Sequence, residues 1–156
     1  VDDRKSDAED AGAGMIGTLE FTSATYYRYA AVNLDLLFSE SHLGKLSAGE
    51  KRAVLAAFIQ ATLTAVPGAR KNSMNAATLP FEVLGIFKSK GQPIQLINAF
   101  ESPVQANGKG LASTSLEALK AELGKLKKTW GIEQEEAWLT EVGIQSFLEK
   151  LTSHVE

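Results

Sequence analysis

Three glycines, Gly12, Gly14 and Gly17, join a charged leader to a long β-branched and aromatic run, and this junction constrains the fold more than any other stretch. Glycine opens backbone angles closed to other residues and lets a second chain segment approach closely. Residues 1–11 are charged or small with no apolar period, which predicts a flexible arm or the remnant of a loop. The run behind the glycines, residues 16–32, is rich in Thr18, Phe21, Thr22, Thr25, Tyr26, Tyr27 and Tyr29. A period of two would place Leu19, Phe21, Ser23, Thr25, Tyr27 and Tyr29 on one face and Glu20, Thr22, Ala24, Tyr26 and Arg28 on the other. A strand is expected here, or two strands joined at Ser23 and Ala24.

Residues 34–38 suggest a short helical turn before the Gly44 loop. Ser47 and Glu50 stand three apart as a capping box, in which the serine oxygen accepts from a free amide of the first turn while the glutamate reaches back. Val54, Leu55, Phe58, Ile59 and Leu63 follow at helical spacing and Pro67 and Gly68 stop the run, predicting a helix over 48–66. Two short apolar runs, 81–87 and 94–100, are separated by a Gly- and Pro-containing stretch and read as a hairpin. Thr114 and Glu117 form a second capping-box pattern ahead of the apolar stripe Leu116, Leu119, Leu123, Leu126 and Trp130, ended by Gly131. Lys120, Lys125, Lys127 and Lys128 lie off that stripe as a solvated face. A strand over 137–142 and a closing amphipathic helix from Ile144 complete the chain. This order, βαββαβ plus a C-terminal helix, is the ferredoxin-like or RRM-like α+β pattern, an antiparallel sheet covered on one face by helices.

The hydrophobic content of 44% over 156 residues suits one domain with a real core. No run approaches a membrane span and the first residues are acidic, so a soluble, cytoplasmic protein without a membrane partner is expected. The net charge of −3 resides in residues 1–10, where Asp2, Asp3, Asp7, Glu9 and Asp10 face Arg4 and Lys5. The remainder is neutral and lacks the basic field of many nucleic-acid binders. Without cysteine there is no disulfide, thiolate metal site or thiol nucleophile. His42 and His154 have no spaced carboxylate or histidine partner, and the acidic leader reads as solvated, so neither a metal site nor a cofactor is expected. Gly12, Gly14 and Gly17 match the glycine order of a dinucleotide fingerprint but precede a strand instead of following one, which removes that reading.

The segments Asp10 to Phe21, Tyr27-Arg28-Tyr29, Ala65-Val66-Pro67 with Lys71-Asn72-Ser73, and Gln92 to Val104 together resemble the CasC-type backbone subunit of type I-E CRISPR surveillance complexes (Cascade). The matches run in order along the chain, and the chain is similar to the C-terminal part of such subunits, which are longer. The resemblance implies that residues 1–11 are a remnant of the thumb loop and 12–156 an incomplete palm-like domain. It makes Gly12, Gly14, Met15 and Gly17 the hinge by which the thumb returns to the palm.

The resemblance further implies a non-enzymatic subunit of a prokaryotic antiviral complex. Such subunits stack head to tail with identical copies along CRISPR RNA, join other Cascade subunits and meet target DNA through guide pairing. A filament that must accept any guide should grip phosphate and ribose, contacts that position without specifying. Arg70, Lys71, Asn72 and Ser73 supply two cations and two small donors for this, and Arg28 between two tyrosines is a candidate to stack on or pair with RNA. Lys88 and Lys90 are candidates for the target strand. Two alternatives stand beside this reading: a type III-like backbone subunit cleaving RNA through Asp2, Asp3 or Asp10, and a ferredoxin-like module that binds protein only.

Overall fold

A computed structural model describes residues 24–65, 79–132 and 134–156. In chain order its elements are α1 (Leu34–Leu37), α2 (Ala48–Thr64), β1 (Leu84–Phe87), a 3-10 turn (Ile97–Phe100), α3 (Leu111–Trp130), β2 (Glu135–Trp138) and α4 (Leu139–Thr152). The architecture is therefore mixed helix and strand, with a small two-stranded antiparallel sheet among the described residues.

Pairing of β1 with β2 sets Leu84 opposite Trp138, Gly85 opposite Ala137, Ile86 opposite Glu136 and Phe87 opposite Glu135. Successive strand residues point to opposite faces, so this register makes two distinct surfaces. On one, Leu84, Ile86 and Trp138 meet Leu96 and the α3 stripe of Leu116, Leu119, Leu123 and Leu126, with Tyr27 and Ile94 closing the cluster. On the other, Gly85 lies beneath α4, where a Cβ would stand 2.7 Å from both methyls of Leu151 and 3.0 Å from the Phe147 ring. Phe147 is the most deeply enclosed large side chain, at 1% exposure. Behind α4 lies α2, which packs against it and buries Leu55. The layers thus run α3, sheet, α4, α2.

The helix α2 forms as its sequence dictates. Ser47 accepts from the Glu50 amide, and the Glu50 carboxylate accepts in return from the Ser47 amide at 2.9 Å. Its apolar residues divide: Leu55 is buried, while Val54 and Phe58 are 37% and 47% exposed. The turn expected over 34–38 is α1, capped by the Asn33 side chain on the Leu36 amide.

Four expectations need correction. Residues 24–33 carry no strand, and the proposed strand residues before them lie outside the described residues, so the full βαββαβ arrangement is not what the described residues form. The runs 81–87 and 94–100 do not make a hairpin; β1 pairs instead with β2, and the second run becomes the 3-10 turn packed on α3. An apolar run of this length suits a helical turn as well as a strand, and its neighbours decide.

The third concerns α3, which begins at Leu111, so Thr114 is not a cap. Its hydroxyl donates backwards to the Gly110 carbonyl at 3.0 Å, a bond compatible with the interior of a helix. Trp130, placed on the apolar stripe by its spacing, is 73% exposed. The 20-residue helix spans about 30 Å and each four-residue strand only about 13 Å, so α3 overhangs the sheet.

The fourth is the last strand, which occupies Glu135–Trp138 and gives way at Leu139 to α4. α4 bends at Gly143, whose φ of 74° interrupts the helical run. The closing helix expected from Ile144 is its second part. The N-terminus of α4 has no local side-chain cap. It is capped from β1's approach: Glu82 accepts from the Thr140 amide at 3.1 Å and from the Thr140 hydroxyl, and Val83 O accepts from the Leu139 amide.

Candidate nucleic-acid interface

Tyr27 fixes the segment that carries Arg28. Its hydroxyl donates to Gln95 Oε1 at 2.7 Å and accepts from the Leu96 amide at 3.3 Å, and its ring meets Phe100 at 5.5 Å between centroids. Burial pushes the hydroxyl above the ordinary phenol value; the Leu96 amide works against this and Tyr29 adds to it. Tyr27 is therefore half-buried against the core. Its neighbours are not: Tyr26 is 75% exposed, Tyr29 is 45% exposed, and Arg28 is exposed as well. Alternation of inward and outward side chains holds from 26 to 28, although no ladder accompanies it. Tyr29, expected to share Tyr27's face, is the exception.

Arg28 reaches the C-terminal end of α2, where Nη2 donates to the Thr62 carbonyl at 2.6 Å. The last carbonyls of a helix lack intrahelical partners and carry the negative end of its dipole, so a guanidinium there is favourably placed. Past α2 the chain continues to Arg70, Lys71, Asn72 and Ser73, which lie outside the described residues, as do Gly12, Gly14, Met15 and Gly17. The structure thus places Arg28 alone among the residues singled out for RNA and hinge roles.

The other described cations are largely engaged by the protein. Lys88 donates to the Gln92 carbonyl of its own turn at 2.8 Å, while Lys90 is exposed. On α3, the lysine face expected to be solvated is exposed, and three of its four members also make ion pairs: Lys127 with Glu136 at 2.5 Å, Lys125 with Glu122 at 3.6 Å, and Lys120 with Glu141 at 3.8 Å. Lys120 also sits over the Trp138 ring, 4.7 Å from its centroid. Burial raises the Glu136 carboxyl, but Lys127 and Gln134 outweigh it and hold the group below its ordinary value. Glu82 behaves alike: burial raises it, and the Thr140 hydroxyl and amide, the Val83 amide and Lys120 bring it below.

The histidines have partners that spacing does not reveal. His42 Nδ1 is 2.9 Å from Ser39 Oγ and 3.1 Å from Ser41 Oγ, within its loop. His154 stacks on Phe87 with ring centroids 3.6 Å apart and planes 5° from parallel. Its Nε2 stands 3.2 Å from Glu135 Oε2, close enough for an ion pair but at an angle outside hydrogen-bond geometry. The two line an open cleft with Lys150 and Leu151. Glu135 and His154 are nineteen positions apart in sequence, and only the packing of α4 on the sheet brings them together.

Among the described residues, no group of three or more His, Cys, Asp or Glu is placed to hold a metal ion, and no helix is long and apolar enough to cross a membrane. What the site offers is an exposed planar cation near exposed rings, held by a half-buried tyrosine and a helix end. No curated protein matches the chain. A family model described as CT1975-like protein matches residues 1–156, so the chain belongs to this family of CRISPR-associated proteins.

Proposed function

We propose that the protein is a non-enzymatic, RNA-binding backbone subunit of a type I-E CRISPR surveillance complex, assembling head to tail with identical copies along CRISPR RNA. The observation that carries the reading is membership of a CRISPR-associated family over the whole chain. The ordered likeness of residues 10–104 to CasC-type subunits makes the reading specific. The local chemistry is compatible with it: Tyr26, Arg28 and Tyr29 are exposed beside the end of α2, and Arg70, Lys71, Asn72 and Ser73 follow that helix in sequence. In this reading the loop cations and small donors grip phosphate and ribose, which leaves guide bases free to pair with target DNA.

Filter binding of the protein to guide RNA across a salt series tests the proposal. Affinity should fall steeply with salt as counterions are released. Lys71→Ala should weaken binding about equally for unrelated guide sequences and lower the salt slope by about one unit. Absent or salt-independent binding would contradict the reading, and a sequence-selective loss would mean that the loop reads bases. Incubation of the assembled complex with complementary RNA and magnesium should yield no periodic cleavage products.

A further inference from the structure

The charge on Arg28 is already committed. Its Nη2 donates at 2.6 Å to a carbonyl in the last turn of α2, where the helix end is negative and disfavours a second anion. A phosphate is therefore poorly served here. An in-plane hydrogen bond leaves the two faces of the guanidinium plane unused, and the side chain is exposed. Tyr26, two residues earlier, presents the most exposed ring among the described residues, at 75%. With Tyr27 turned inward between them, Tyr26 and Arg28 stand on the outward side of the segment.

We infer that Tyr26 and Arg28 form a base-stacking subsite for single-stranded RNA, in which one nucleobase lies against the tyrosine ring and the guanidinium face without hydrogen bonds to its edge. This deepens, and rests on, the RNA-binding reading above. Bases splayed from a strand are commonly held on aromatic rings and arginine planes, and such stacking tolerates any sequence because every base has a π face. The subsite thereby divides the work: the loop at 70–73 meets the backbone, and Tyr26 with Arg28 meets a base.

The test is RNA binding by the intact protein and three variants, using oligoadenylate and oligouridylate across a salt series. Tyr26→Ala should weaken binding about 10- to 100-fold, more on the purine strand than on the pyrimidine, with the salt slope unchanged. Tyr26→Phe should bind as the parent does. Arg28→Lys keeps the charge and a donor for Thr62 but loses the plane, and it should weaken binding severalfold, again without a change of slope. Parent-like binding by Tyr26→Ala or by Arg28→Lys overturns the subsite. If the Lys71→Ala slope change is nevertheless present, the RNA-binding reading survives that result. Failure of the parent protein to bind either strand overturns both.

Discussion

Glu82 is a cap supplied from a distance. α4 starts directly after a strand, with Trp138 at the position where a polar side chain would ordinarily accept from the first turn. Glu82 fills that role across 58 positions of sequence, accepting from both the amide and the hydroxyl of Thr140. Its folded carboxyl lies below the ordinary value of 4.5. A carboxyl depressed in this way adds stability that is present above its unfolded value and is lost as pH falls through the folded one. Glu82→Gln keeps the size and one acceptor oxygen, so it isolates the charge. The variant should be about 0.5–1 kcal/mol less stable at pH 7, and the gap should close as the medium is acidified below the ordinary carboxylate range. Urea melts at several pH values check this; a gap that widened in acid would contradict the sign. No pattern in the sequence announces such a cap, because a capping box is a local signature and Glu82 acts through tertiary contact.

At the scale of elements, the helices were more legible than the strands. The α2 start is fixed by Ser47 and Glu50, four positions that carry their own geometry, and the structure reproduces it. Helix periodicity likewise located α3 and the second part of α4. Strand pairing has no such local warrant. The run 81–87 contains β1, but its partner is Glu135–Trp138 and not the neighbouring apolar run. Gly85 shows what the pairing requires. A strand interior gains little from glycine, since β-branched residues fit the pleat better and glycine costs backbone entropy. It is placed where α4 comes closest, with Leu151 and Phe147 occupying the space a side chain would take. Gly85→Ala should cost up to about 1 kcal/mol, because its Cβ presses on both Leu151 methyls and on the enclosed Phe147 ring. Gly85→Val should lose on the order of 1–3 kcal/mol by overpacking, measured by urea denaturation, although strand propensity alone would have valine stabilise.

The whole molecule depends on α4 as its shared layer, since α4 packs on β1, β2 and α2. Arg52 Nε donates to the Val155 carbonyl at 2.9 Å and Lys51 Nζ to the Glu156 carbonyl at 3.1 Å, binding α2 to the segment that follows α4. Phe147, at 1% exposure, stands where sheet and helix meet. Phe147→Ala should cost about 3–5 kcal/mol, a large share of the 5–15 kcal/mol typical of a domain. A thermal melt should show one strongly lowered transition. Hydrogen exchange should quicken in α2 as well as in α4, since α2 loses the layer it rests on. An effect confined to α4 would mean that α2 is held by something else. By itself the sequence determined the local matters: that α2, α3 and the second part of α4 are helical, where α2 is capped, that Gly131 ends α3, and that the chain resembles a CRISPR-associated family. Those follow from interactions within a few residues or from the order of motifs. Only the tertiary structure decided which strand pairs with which, that Tyr27 packs against the core while Tyr26 and Arg28 face out, that Arg28 donates to α2, and that Glu82 and Glu135 find Thr140 and His154. Each of these joins residues far apart in sequence, and nothing local to either partner encodes the meeting.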